Sequence, residues 1–160
     1  DLISRMTVLL GGRAAERLVY TDVSTGAGDD LAKATEIARG MVVRFGMDPK
    51  LGQVAYEPEA ASLFGAPTGG DWRPRRYGEA TADAIDTALR NLIDASFQKA
   101  TAILSTNRAL LDKSAAELLA KETLSADDLQ IVAAQLIPIE SADKVPKVED
   151  GFAAASPFRR

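Results

Sequence analysis

The chain has 160 residues, 46% hydrophobic and 26% charged, a composition that suits one globular domain with a sizeable core. Nineteen Lys and Arg against 23 Asp and Glu leave a net charge of −4, which argues against a nucleic-acid partner. Histidine and cysteine are both absent, which excludes disulfides and Ser/His/Asp or Cys/His catalysis, and leaves only carboxylates among the usual zinc ligands.

Leu2, Met6, Leu9, Leu10 and Ala14 fall at helical spacing and predict one helix from Asp1 to about Tyr20. Gly11 and Gly12 lie inside it, at a cost of about 1 kcal/mol each relative to Ala. Such a pair is tolerable where another backbone packs closely. The apolar pattern starts with no turn chemistry beyond Asp1 as a cap. The chain is therefore expected to be part of a longer protein, cut within this helix.

A loop over Thr21 to Gly28 leads to a second helix, from about Asp29 to Arg44. Leu31, Ala34, Ile37, Ala38, Met41 and Val42 share one of its faces, Gly46 stops it, and Pro49 prevents its continuation. Leu51 to Glu57 is predicted as a short strand, with Val54 and Tyr56 on one side. Gly, Pro and Arg without periodicity mark a linker over about 57–77.

The longest predicted helix runs from Glu79 to Thr106. Ile85, Leu89, Leu92, Ile93, Phe97, Ala100, Ile103 and Leu104 form its apolar stripe, with Ser96 the one small polar residue on that face. Ser105-Thr106-Asn107 breaks it from a fourth helix marked by Leu110, Leu111, Ala115, Leu118 and Leu119. Ser125-Ala126-Asp127-Asp128 resembles a capping box with Asp in place of Glu, and opens a fifth helix to about Ala134. Residues 136–160 are expected to be a disordered tail. The fold class these elements imply is mainly all-α: an antiparallel helical bundle over 1–135, with one short strand and an irregular linker. No apolar run approaches the roughly 20 residues that span a bilayer, and no signal peptide is present.

Ser24-Thr25-Gly26-Ala27-Gly28-Asp29-Asp30-Leu31 is the stretch that carries chemistry. Two carboxylates at a helix start suit capping, since they accept hydrogen bonds from free N–H groups and match the positive helix end. A phosphate loop is disfavoured, because there is no P-loop lysine and two acids stand where the anion would sit. A third reading makes one Asp a metal ligand whose partners come from elsewhere. On residue types alone, capping outweighs the other two. Arg73-Pro74-Arg75-Arg76 beside Trp72 is the one basic cluster, and reads as solvated linker or a contact to an acidic surface.

Leu9-Leu10-Gly11-Gly12-Arg13-Ala14-Ala15-Glu16 resembles a segment of FtsH-type proteases, the membrane-anchored, ATP-dependent zinc metalloproteases with an AAA+ module. Val23 to Leu31 resembles their Ser-Thr-Gly-Ala-x-Asn-Asp-Leu segment. Ala34-Thr35, Ala38-Arg39, Met41-Val42, Phe45-Gly46-Met47, Leu51-Gly52, Thr81-Ala82, Ile85-Asp86, Leu104, Asn107-Arg108, Leu111 and Glu122-Thr123-Leu124 continue in the same order. Leu63-Phe64-Gly65 only loosely resembles the family's Phe-Leu-Gly. The resemblance covers about Leu2 to Ile131.

It implies a mostly helical protease domain in which zinc is held by two His of a His-Glu-x-x-His helix, with that Glu as general base. The third ligand, the second acid of the Asn-Asp pair, maps onto Asp30, and Asp29 stands where the family has Asn. The His-Glu-x-x-His helix, the ATPase module and the membrane segment are absent from this sequence and would precede Asp1. The implied function is a C-terminal fragment of a zinc metalloprotease, inactive alone, with ATP used by the parent protein only. The implied parent acts on protein substrates, is a homo-hexamer, and resembles inner-membrane proteins with a cytoplasmic protease domain. The fragment itself is expected to be soluble. The alternative is a non-catalytic helical interaction module that kept the bundle and lost the chemistry.

Overall fold

The structure, a computed structural model, describes residues 1–20, 24–57 and 77–139. The single helix expected at the start is two: α1 (Leu2–Leu9) and α2 (Gly11–Val19). Leu10 between them has φ −81° and ψ −5°. The ladder still runs through it, because Leu10 N donates to Met6 O and Ala14 N to Leu10 O, both at 2.9 Å. The break is therefore a bend, and the glycine pair just after it is its physical cause. No close backbone accompanies the pair: a Cβ on Gly11 or Gly12 would meet no atom within 4 Å among the described residues outside its own helix. The bend lets α1 turn Met6 and Leu10 into the core and α2 turn Ala14.

The second predicted helix holds to its expected end but changes character. α3 (Gly28–Arg39) runs into a π-helical turn, Gly40–Arg44, closed by Phe45 N donating to Gly40 O at 3.0 Å. Gly40, Met41, Val42 and Val43 are all buried. Gly46 then takes a left-handed φ of +58°, where a Cβ would lie 3.1 Å from Gln53 Cα and 3.2 Å from Gly52 O. Met47 N closes the end onto Met41 O.

Leu51 to Glu57 is not a strand, and no strand occurs among the described residues. Tyr56 N and Glu57 N both donate to one acceptor, Val43 O, at 2.8 and 3.1 Å. The Tyr56 hydroxyl donates to Leu51 O at 3.0 Å. The segment is strapped across the end of the π turn with Leu51 and Tyr56 half-buried and Val54 exposed, so its alternating pattern has no ladder to join. The linker expected at about 57–77 lies, over 58–76, outside the described residues. Its flanks meet: Tyr77 OH donates to Glu57 Oε1 at 3.2 Å, and the Tyr56 and Tyr77 rings pack edge to face at 5.6 Å. Arg39 grips the same carboxylate from α3 at 2.9 Å, and that hydrogen bond holds its guanidinium pKa above the ordinary value.

α4 (Glu79–Thr106) is the spine, and α1, α2, α3 and the π turn all pack on it. Its predicted stripe is the buried face: Ile85, Ala88, Ser96 and Ala100 are buried, with Leu89, Leu92, Ile93 and Phe97 partly so. One core cluster joins Met6, Leu10, Ala34, Ala38 and Met41; a second joins Val42, Val43, Ile85 and Ala88. Leu89 and Leu92 contact both, which makes the two clusters continuous. Arg17 of α2 lies 5.7 Å above the Phe97 ring, so its charge stays at the rim while its stem covers apolar surface.

Only Asn107 separates α4 from α5 (Arg108–Lys121), and α6 (Ala126–Ala134) comes next. The Asn107 side chain is a two-way clasp. Its Nδ2 donates to Ile137 O at 3.1 Å and its Oδ1 accepts from Ile137 N at 2.8 Å. Arg108 Nη1 donates to Leu18 O at 3.0 Å and ties the start of α5 to the end of α2. The capping box forms as expected, with Ser125 Oγ accepting from Asp128 N and Asp128 Oδ2 accepting from Ser125 N. Neither α5 nor α6 buries a residue fully, and Leu119 is 85% exposed. The fold is mainly all-α, a helical bundle centred on α4. Of the expected tail, residues 140–160 lie outside the described residues.

Candidate metal centre

The loop before α3 is shaped by its own small residues. Gly26 N donates to Ser24 Oγ at 3.1 Å, Gly28 N to Thr25 O at 3.1 Å, and Leu31 N to Ala27 O at 3.0 Å. A Cβ on Gly26 would come within 3.3 Å of Ser24 Oγ, so glycine lets the serine close over the turn. Ala27 is buried and serves as the cap residue. The Ser24 hydroxyl in turn donates to Glu16 Oε1 on α2.

Asp29 and Asp30 stand in the first turn of α3, but neither caps it: among the described residues no side-chain cap hydrogen bond is made at this helix start. The capping reading therefore holds only as electrostatics. Two negative charges face the positive helix end without accepting from its amides. Asp30 is half-buried, with 46% of its side chain exposed, and Lys33 Nζ lies 3.8 Å from its Oδ1. That distance is beyond a hydrogen bond, so the Asp30 oxygens stay available. Asp29 is exposed. Beside this helix a groove of about 680 Å³ opens between α1 and α3, lined by Arg5, Val8, Leu9, Lys33, Glu36 and Ile37. Val8 on its wall is 78% exposed.

A model of peptidase family M41 matches residues 1–132. The chain belongs to that family. It is 63% identical over 136 residues to the ATP-dependent zinc metalloprotease FtsH of Paraburkholderia phymatum, an alignment covering 85% of this chain and 21% of that protein. It is 52% identical over 137 residues to the protein of the same name from Methylibium petroleiphilum, covering 85% and 22%. The FtsH of Ralstonia pickettii is 40% identical over 162 aligned positions, covering 100% of this chain and 22% of that protein. The chain thus spans about a fifth of the length of these relatives.

As an M41 chain it can be tested for fit to the zinc that those relatives carry in their names. Zinc takes thiolate, imidazole or carboxylate ligands, usually three from protein at a catalytic site. This sequence offers carboxylates alone, and no group of three or more metal-binding side chains occurs among the described residues. Asp30 fits as one ligand of such a set, because its side chain is half exposed and, beyond the ion pair with Lys33, makes no hydrogen bond among the described residues. A closed site does not fit within these residues. The basic cluster Arg73 to Arg76 lies outside the described residues. The sequence reading missed the Glu16–Ser24 contact; its one signal was a carboxylate one helical turn beyond Arg13, on the helix preceding the loop. No described helix is long and apolar enough to cross a membrane.

Proposed function

We infer that this chain is the C-terminal part of the peptidase unit of an ATP-dependent zinc metalloprotease, and that Asp30 is its contribution to the zinc site. The observation that carries the reading is the M41 match over residues 1–132, which brackets an Asp30 carboxylate left without a cap or hydrogen bond. Two imidazole ligands cannot come from this sequence, so they belong to another segment of the protein. That segment must approach Asp30, and the groove between α1 and α3 offers it an apolar wall on the same helix. Zinc bound there supplies a water of lowered pKa and polarises the peptide carbonyl. Asp30 holds the metal and offsets part of its charge, and the bundle behind it keeps α3 rigid. By itself the chain is inactive in peptide hydrolysis. Protein substrates, a homo-hexameric assembly and a membrane-anchored parent driven by ATP complete the proposal.

The test uses the complete protease. Asp30→Ala is expected to lose zinc and at least about a hundredfold in proteolysis, at or beyond the upper end for groups around a metal. Asp29→Asn is expected to stay near the parent in both, since Asp29 is exposed. Retention of zinc and proteolysis by Asp30→Ala would remove the ligand assignment. A complete protein that neither binds zinc nor cleaves a denatured substrate would instead be the non-catalytic helical module.

A further inference from the structure

Glu16 is placed in a way that a surface glutamate does not require. Its side chain is only 26% exposed, and its Oε2 is buried with no hydrogen-bond partner among the described residues. Arg13, one turn earlier, comes no closer than 3.7 Å, and its own Nε is likewise buried and unpartnered. Burying a carboxylate is unfavourable unless its bonds do something. Among the described residues, the hydrogen bond its side chain makes is the one from the Ser24 hydroxyl to Oε1.

Ser24 is the base of the turn that starts α3. Its Oγ accepts from Gly26 N, and the next bond, Gly28 N to Thr25 O, leads into the first helical residue. α3 lacks a side-chain cap of its own, so its first turn depends on this loop for its position. Asp30 lies in that turn, one residue before Leu31 packs on the core. Hydrogen bonds therefore link Glu16 through Ser24 to Gly26, four residues before Asp30 in the same turn-to-helix segment.

We propose that Glu16 is a positioning residue for the metal ligand Asp30, acting through Ser24 on the onset of α3. The proposal rests on the reading of Asp30 as a zinc ligand. It assigns Glu16 no contact with the metal or the substrate. Freed from Ser24, the first turn frays, and Asp30 meets the metal only in a fraction of conformers. Apparent affinity falls by that fraction.

The experiment measures the zinc dissociation constant of the complete protease by competition with a chromophoric chelator, alongside its thermal midpoint. Glu16→Ala and Ser24→Ala are each expected to weaken zinc about tenfold, the lower end for residues that orient a ligand. The double variant should be no weaker than either single, because both remove one contact. Glu16→Gln keeps an acceptor for the Ser24 hydroxyl and should restore affinity, which a role resting on the charge would not allow. Parent-like affinity in both alanine variants, while Asp30→Ala loses zinc, would overturn the proposal and leave the ligand reading intact. Multiplicative losses in the double variant would also overturn it. Zinc retained by Asp30→Ala would bring down the ligand reading, and the proposal with it. If Glu16→Ala lowers the thermal midpoint too far to be loaded, Ser24→Ala, which deletes one oxygen, decides on the same criteria.

Discussion

Three glycines near the start of the chain look alike in sequence and differ in what they do. Gly46 sits at φ +58° with backbone atoms at 3.1–3.2 Å from where a Cβ would stand, whereas Gly12 has a helical backbone and open space. Gly46→Ala is expected to destabilise by about 1–2 kcal/mol from the left-handed backbone alone, with the close backbone contacts adding to it. Gly12→Ala is expected to stabilise by about 0.5–1 kcal/mol, since helix propensity rises and nothing is displaced. Denaturant unfolding of the two variants checks both signs. Gly46 was legible because a glycine at the end of an apolar period is a stop signal. Gly11 and Gly12 were half legible: propensity told what they cost, but not that a bend rather than a neighbouring backbone explains them. The Asp pair was legible as a helix start. That the oxygens go unused by the helix depends on Ala27 taking the cap position, which residue types do not reveal.

At the scale of elements, α6 is the part whose stability is tied to pH. The Lys121 ammonium first, and then the Ser125 hydroxyl and amide, hold the Asp128 carboxyl down at about 2, against an ordinary 3.8. A depressed carboxyl pKa stabilises the folded form above the ordinary value, and the gain is lost as protons bind to both states. The protection of α6 amides, taken as exchange relative to the intrinsic rate at each pH, is therefore expected to be flat above about pH 4 and to fall as pH drops from about 4 to 2. Asp128→Asn should abolish the transition, and Lys121→Ala should shift it toward pH 4. The box itself was readable from four adjacent residues. The lysine was not, because it comes from the far side of the turn at Glu122, whose φ of 62° brings the two helices together. The false strand at Leu51 to Glu57 failed for a related reason. Alternation becomes a ladder only beside a partner segment, and here Val54, expected on the same side as Tyr56, is exposed. Asn107 clasps Ile137 across thirty residues, a pairing no local pattern encodes.

For the whole molecule, the helical period of α3 and α4 made the bundle legible, and the sequence holds no histidine to offer a metal. The isolated chain is accordingly expected to show no stoichiometric zinc binding at micromolar concentration by calorimetry at neutral pH. Saturation at one equivalent would mean that its carboxylates form a site unaided. The passage from α3 into the π turn was not legible, since five residues are too few for a sequence to distinguish one helical period from another. Yet that turn contributes to both core clusters, Met41 to one and Val42 and Val43 to the other. A π turn carries one residue more than an α turn, so it acts as a phase shift of about 100° between the helix before it and the chain after it. Deleting any one residue between 40 and 44 would restore an unbroken α-helix and rotate the chain beyond it by that amount. Tyr56 and Glu57 would then lose their common acceptor at Val43, and the joined flanks of residues 58–76 would part from Arg39. The length of this segment is thus more tightly constrained than its composition, and a family member could exchange its apolar residues more easily than drop one.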